Sequence, residues 1–296
     1  MINLQGIIPP LPTSFHENEK LYLEKIRENI GSLLKHEITG IVVLGSNGEF
    51  VLLSEGEKEK IYATAREAIP PGKLMIAGTG GQSTLETIRL TRLAARQEAD
   101  AALVLNPFYY KGMMTPEVLI RHYHDVAEAS TIPIIIYNMP SNSGVDMNAS
   151  TILRIASHPN IIGIKDSDGN IVKMGEVIRK GKDDFQVLAG SAGFLLPALV
   201  IGARGGIMAL ANIFPRKCIE IMQNFKEDNL DNARKIQQSI IPLNTAITKR
   251  WGIPALKAAM DHLGLYGGPV RRPLMALDEK KKEMLLRLLD TFREYY

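Results

Sequence analysis

Short apolar runs recur along the chain at intervals of about 20 to 35 residues, each followed by a turn signal and then by apolar residues at three- and four-residue spacing. Eight such runs can be counted: Gly6 to Pro9, Gly40 to Leu44, Leu74 to Ala77, Ala101 to Leu105, Ile134 to Tyr137, Ile161 to Lys165, Phe185 to Ala189 and Gly206 to Leu210. Between them lie helical patterns such as Leu21 to His36 and Thr84 to Gln97. Runs this apolar suit strands buried on both faces, and eight βα units close as a (β/α)8 TIM barrel of the α/β class. The competing open, doubly wound sheet carries a glycine-rich dinucleotide turn after its first strand, whereas here the first strand runs into Pro9-Pro10-Leu11-Pro12-Thr13. The loop Gly78 to Ser83 follows the third strand, has Ser83 where that fingerprint needs its last glycine, and reads as a tight turn. Three further helical patterns, Asn229 to Asn244, Pro254 to Leu263 and Asp278 to Arg293, follow the eighth strand. They predict a C-terminal helical extension, residues 226–296, packed on a barrel of residues 1–225.

Composition narrows the class. A chain of 296 residues with 45% hydrophobic content can bury one large core. Its 35 basic and 32 acidic residues are scattered rather than blocked, so neither nucleic acid nor an anionic membrane is an expected partner. Cys218, the single cysteine, stands at helical spacing and reads as a buried small hydrophobe. An unpaired thiol fits a reducing compartment. The N-terminus lacks the pattern of a signal peptide, and no run reaches the roughly eighteen apolar residues that span a bilayer. A cytoplasmic location is therefore expected, or a mitochondrial matrix one if a presequence has been removed.

Chemistry in such a barrel sits at the C-terminal ends of the strands. The sixth apolar run ends abruptly on Lys165-Asp166-Ser167. A lysine at the mouth of the core is partly desolvated, which favours the neutral amine that attacks a carbonyl. It can equally lay its stem along the core and keep its head in water. One strand earlier stands Tyr137, and neighbouring strands lie about 4.8 Å apart, so phenol and amine could reach one small substrate, the phenol shuttling protons. A core tyrosine bonded to a carbonyl is the alternative. After the second strand, Gly45-Ser46-Asn47-Gly48-Glu49 could turn amides and a hydroxyl toward a carboxylate, or be a plain turn. Asn106 to Gly112 carries the aromatic pair Tyr109 and Tyr110, which could equally seal the barrel top or pack between subunits. His122 and His124 point about 200° apart on a helix and read as surface or partly packed residues. No HExxH, CxxC or G-x-S-x-G pattern occurs, so neither a metal nor a serine triad is expected.

Taken together, GSNGE after the second strand, NPFYY after the fourth, YNMPSNSG after the fifth and NIIGIKDS at the sixth resemble the dihydrodipicolinate synthase and N-acetylneuraminate lyase superfamily over nearly the whole chain. The resemblance implies a (β/α)8 barrel with C-terminal helices, Lys165 as Schiff-base nucleophile toward a 2-oxo acid, Tyr137 as proton shuttle, and Ser46 and Asn47 as holders of the keto-acid carboxylate. Tyr109 matches the tyrosine that reaches a neighbouring subunit's site, implying a homotetramer built as a dimer of dimers. Synthases of this superfamily carry an arginine for the carboxylate of aspartate semialdehyde, and Asn142 occupies that position here. Asn47 stands where synthases and neuraminate lyases have threonine. The overall likeness is to 4-hydroxy-2-oxoglutarate aldolase of the mitochondrial type, through GSNGEF, YYKG, KDS, DDFQVLAGSAGF, GGIMALAN, the arginine before GIP, and YGGP.

These readings converge on a class I aldolase, a carbon–carbon lyase that splits a 4-hydroxy-2-oxo acid into pyruvate and an aldehyde without a cofactor. Ser167, Gly190, Ser191, Asn142 and Ile207 complete the expected substrate-binding set, with Ser167 two residues beyond Lys165 and so on its strand face. Ser191 can also be read as part of a glycine-rich turn. The competing readings are the synthase that condenses pyruvate with aspartate semialdehyde, a 2-keto-3-deoxy sugar-acid aldolase, and a barrel that binds a keto acid without turning it over.

Overall fold

The structure, a computed structural model, describes residues 2–292. Eight parallel strands form one sheet: β1 (Gly6–Ile8), β2 (Gly40–Val43), β3 (Leu74–Gly78), β4 (Ala101–Leu105), β5 (Ile134–Asn138), β6 (Ile161–Asp166), β7 (Gln186–Ala189) and β8 (Gly205–Ile207). Each pairs with its sequence neighbour from β2 to β8, and β8 returns to β1. Between β1 and β2 the barrel closes through fewer bonds. Thr39 N–H donates to the Ile7 carbonyl (3.0 Å), Val42 N–H to Pro9 (2.9 Å) and Leu11 N–H to Val42 (2.8 Å). Pro9 and Pro10 have no N–H to give, so this seam cannot form a regular ladder. At the β1–β8 seam Gly6 and Gly205 meet backbone to backbone. A Cβ on Gly205 would run into the Gly6 carbonyl, and its φ of +147° is open only to glycine.

The helices are α1 (Leu23–Leu33), α2 (Glu55–Ala68), α3 (Thr84–Arg96), α4 (Pro116–Glu128), the short α5 (Pro140–Ser143), α6 (Ala149–Ile155), α7 (Ile171–Lys180), α8 (Leu195–Val200), α9 (Pro215–Lys226), α10 (Leu230–Thr245), α11 (Gly252–His262) and α12 (Glu279–Asp290). Their starts carry the expected signals. Ser54 and Glu57 form a reciprocal capping box on α2, and Thr115 caps α4 ahead of Pro116. Among the described residues no helix is long and apolar enough to cross a membrane.

The boundary expected at residue 225 falls at the end of α9. From there α10 lies back on the barrel, where Gln237 accepts the Leu196 N–H (2.9 Å) and donates to the Ala192 carbonyl (2.8 Å). Two expectations shift. The eighth strand stops at Ile207, because Ala209–Asn212 coils into a single turn whose Asn212 amide bonds the Ala209 and Pro10 carbonyls. His122, read as a surface or partly packed residue, is buried, its Nδ1 2.9 Å from Thr84 Oγ1. The expected end of the last helix at Arg293 lies outside the described residues. Cys218 is buried as expected, which pushes its thiol up to about 12.

Alternation along the strands divides the core into two. Ile136, Ile164 and Val187 pack with Ile152, Met174 and Val177 of the surrounding helices. Leu105, Ile135, Tyr137, Leu188 and Ile207 belong to the other cluster. β6 carries one extra residue at this level. Ile134 pairs with Ile161 but Ile135 pairs with Gly163, so Ile162 bulges out of register. Without the shift Ile164 would stand opposite Tyr137. With it, Lys165 does.

Candidate active site

The bulge creates a row of register partners, Leu105, Tyr137, Lys165 and Leu188, across four neighbouring strands. Tyr137 and Lys165 occupy its centre, 3% and 4% exposed. Lys165 Nζ lies over the Tyr137 ring, 4.1 Å from its centre, within cation–π distance. The Tyr137 hydroxyl is 3.1 Å from Ser46 Oγ, and either oxygen can donate. An amine, a phenol and a serine hydroxyl from β6, β5 and the loop after β2 thus converge at one buried point.

That loop is a single tight turn, Ser46–Gly48, ended by Glu49 in the left-handed region at φ 55°. Thr13 Oγ1 donates to the Gly48 carbonyl (2.6 Å) and fastens the turn to the segment after β1. Asn47, half-buried beside Ser46, makes only a long contact of 3.4 Å to the Pro10 carbonyl, whose shorter bond, 2.9 Å, comes from Asn212. Its amide is therefore loosely held.

Ser167 lies just past β6. Its N–H donates to the Asn138 carbonyl (2.9 Å), while its Oγ is buried without a hydrogen-bond partner. A buried hydroxyl left unbonded is costly, and this one abuts Gly190, where a Cβ would collide with it. Ile207 is fully buried at the end of β8. Ser191 is differently engaged. Its hydroxyl accepts from the Asn244 amide (3.0 Å) and from Gly193 N–H (3.3 Å), which ties the turn after β7 to α10.

Asn142 is exposed on the short α5 turn, and the Lys111 side chain lies against Gly144 at the end of that turn. Tyr109 is 75% exposed, its ring edge-to-face with Tyr110 at 5.0 Å, and it does not join Tyr137 and Lys165 within its own chain. Gln82 shapes this loop by accepting both the Phe108 and Tyr109 N–H groups, at 3.1 and 2.9 Å. Two surface hollows, about 730 Å³ beside Pro70 and Pro71 and about 580 Å³ beside His124 and Arg154, hold none of these residues.

Behind this row of register partners is a polar tie that patterning alone does not signal. The Asn138 amide donates to Asp146 (2.8 Å) and Asp166 (3.3 Å), and Lys173 Nζ lies 2.6, 3.3 and 3.2 Å from Asp146, Asp166 and Asp168. Burial holds the Asp166 carboxyl above its ordinary range, opposed by the Lys173 charge. Asn138 and Asp166 immediately follow Tyr137 and Lys165, so the tie joins the two strand ends that carry the phenol and the amine.

A model of the dihydrodipicolinate synthetase family matches residues 3–292. The chain belongs to this family. As a dihydrodipicolinate synthetase family member it is an enzyme, a pyruvate-dependent lyase or aldolase. It is 35% identical over 288 residues to a 4-hydroxy-tetrahydrodipicolinate synthase of Methanoculleus marisnigri, covering 96% of this chain and 98% of that one. It is 37% identical over 276 residues to a probable mitochondrial 4-hydroxy-2-oxoglutarate aldolase of Emericella nidulans, covering 92% of this chain and 89% of the other. A crystal structure of a dihydrodipicolinate synthase from Bacillus anthracis superposes with a TM-score of 0.95 at 29% identity, covering 98% and 99% of the two chains. The barrel and its helical extension are thus those of the family.

Proposed function

We propose that this family member is a class I aldolase that cleaves a 4-hydroxy-2-oxo acid, such as 4-hydroxy-2-oxoglutarate, to pyruvate and an aldehyde. The observation that carries the reading is the convergence of Lys165, Tyr137 and Ser46. The neutral Lys165 amine adds to the C2 carbonyl, and the carbinolamine loses water to give an iminium. That cation withdraws the electron pair of the C3–C4 bond as the proton of the C4 hydroxyl passes to a base, leaving an enamine and the free aldehyde. Tyr137, having given its phenolic proton to the hydroxide that leaves the carbinolamine, takes that proton and returns it to C3. Water then hydrolyses the pyruvyl iminium and frees the lysine. Ser46 and Asn47 hold the substrate carboxylate, and the unpartnered Ser167 hydroxyl, against Gly190, faces the scissile end. Ile207 walls the pocket. Tyr109, exposed and away from its own chain's lysine, supplies a hydroxyl to a neighbouring subunit in a homotetramer.

Asn142 weighs against aspartate semialdehyde as the partner aldehyde. A neutral amide cannot make the bidentate pair with a carboxylate that a guanidinium makes. The synthase reading keeps its own support in the likeness to the Methanoculleus enzyme, and the same pocket would also suit sugar-acid aldolases. A panel of 4-hydroxy-2-oxo acids assayed for pyruvate release, beside pyruvate plus aspartate semialdehyde assayed for condensation, separates them. The expected result is the larger kcat/KM for cleavage of a 4-hydroxy-2-oxo acid. Efficient condensation with no cleavage would overturn the aldolase reading. Asn142→Arg should raise kcat/KM for the semialdehyde by about one order of magnitude, the worth of a charge-assisted pair.

A further inference from the structure

The turn carrying Ser46 and Asn47 is held from outside the barrel. Its last residue, Glu49, buries its carboxylate completely, and the partner is Lys257 of α11, 1% exposed, with Nζ 2.6 Å from Glu49 Oε1. Lys257 Nζ also donates to the Pro269 carbonyl (2.7 Å) and lies 4.6 Å from the centre of the Phe15 ring. Arg271, in the segment after α11, supplies the second grip. Its backbone N–H donates to Glu49 Oε2 (2.8 Å), and its guanidinium bonds the Leu52 carbonyl (3.1 Å) and both carboxylate oxygens of Glu57 (2.7 and 2.9 Å) while stacking 4.4 Å from the Phe15 ring centre. Lysine and arginine therefore clasp Glu49, at the end of the turn, from more than 200 positions downstream.

A charge pair this deep is a poor way merely to glue a helix to a barrel, since apolar side chains of similar volume hold as well or better. What it supplies is direction and distance, because charge-assisted bonds allow few geometries. Glu49 is three residues beyond Ser46, and the Ser46–Tyr137 contact at 3.1 Å leaves little room for the turn to drift. We infer that Lys257 and Arg271 are positioning residues for the 2-oxo acid carboxylate, so that the C-terminal helical extension is a working part of the active site. This rests on the reading of Ser46 and Asn47 as the carboxylate holders.

The test compares Lys257→Met, Glu49→Gln, their double variant, Arg271→Lys and Ser46→Ala in the full chain. Each is measured for melting temperature, KM and kcat in pyruvate release, and borohydride trapping at saturating pyruvate. Either single change at the pair leaves a buried polar group mismatched and lowers the melting temperature, whereas the double removes both charges and recovers much of it. The expected result is a KM raised about 10- to 100-fold in the double variant, with trapping at saturation retained. Arg271→Lys, which keeps the charge but loses the fork to Glu57 and Leu52, should raise KM in the same direction. A folded double variant and a folded Arg271→Lys with unchanged KM, beside a Ser46→Ala with raised KM, would overturn the clamp alone. An unchanged KM in Ser46→Ala would overturn the carboxylate reading, and the clamp's role with it.

Discussion

Tyr137 and Lys165 are direct register partners on adjacent parallel strands, and the lysine Nζ stands 4.1 Å from the centre of the tyrosine ring. Both side chains are buried, and the phenol hydroxyl beside the lysine has a partner in Ser46. That is the geometry an imine-forming lysine and its proton carrier need.

Pyruvate plus sodium borohydride should add one reduced pyruvyl group to the protein, at Lys165, as read by peptide mass spectrometry. Lys165→Arg should abolish both labelling and turnover while melting near the wild-type temperature, since arginine remains protonated and cannot attack. Labelling at Lys173 or Lys257 instead would displace Lys165 from its role.

Tyr137→Phe should still form the adduct, slowly, and lose about two to four orders of magnitude in kcat. The same change strips Ser46 Oγ of its 3.1 Å partner, a loss of roughly 1 kcal/mol in stability, small enough for a folded assay. Near-normal cleavage by this variant would return Tyr137 to the core.

Tyr109→Phe tests the neighbouring subunit's part. It should slow turnover by at least about tenfold with little change in melting temperature, because phenylalanine keeps the ring and its edge-to-face packing on Tyr110 and loses only the hydroxyl. Sedimentation should show the oligomer intact. Unchanged kinetics would leave Tyr109 a packing residue.

Acid should destabilise the fold in two windows. Burial lowers His122 from 6.5 to about 4. Its folded value lies below the unfolded one, so the unfolded chain takes up the proton first, and stability present above about pH 6.5 drains away as pH falls toward 4. Hydrogen bonds from Arg271 lower Glu57 from 4.5 to about 2. Its contribution is complete above 4.5 and is lost as pH falls through the folded value. Melting temperature measured against pH should therefore flatten in the upper window in His122→Gln and in the lower one in Glu57→Gln. A His122→Gln profile that still tracks the wild type between pH 6.5 and 4 would remove the histidine from the account.

The eight-fold repeat of apolar run and helical pattern is enough to specify the barrel, since a run buried on both faces has few other homes. The strings around Ser46, Tyr109, Tyr137 and Lys165 are enough to mark the strand mouths where chemistry sits. Both are local signals. They say which residue types follow which strand, and the structure keeps those residues at those strand ends.

What they do not contain is register. The stretch 161–164 is apolar on both faces, so its sequence does not reveal that Ile162 bulges, and one residue's difference decides whether Lys165 or Ile164 meets Tyr137. Nor does spacing along the chain join Glu49 to Lys257 and Arg271, or Asn138 to Asp146, Asp166 and Lys173. Ser191 reads from the sequence as either pocket or turn, and only the packing of α10 brings the Asn244 amide to its hydroxyl. The sequence by itself determined the strands, their order and the chemical groups at their ends, because those depend on neighbours within a few residues. Tertiary structure decided which of those groups touch, because a parallel ladder and a buried charge pair are set by segments far apart in the chain.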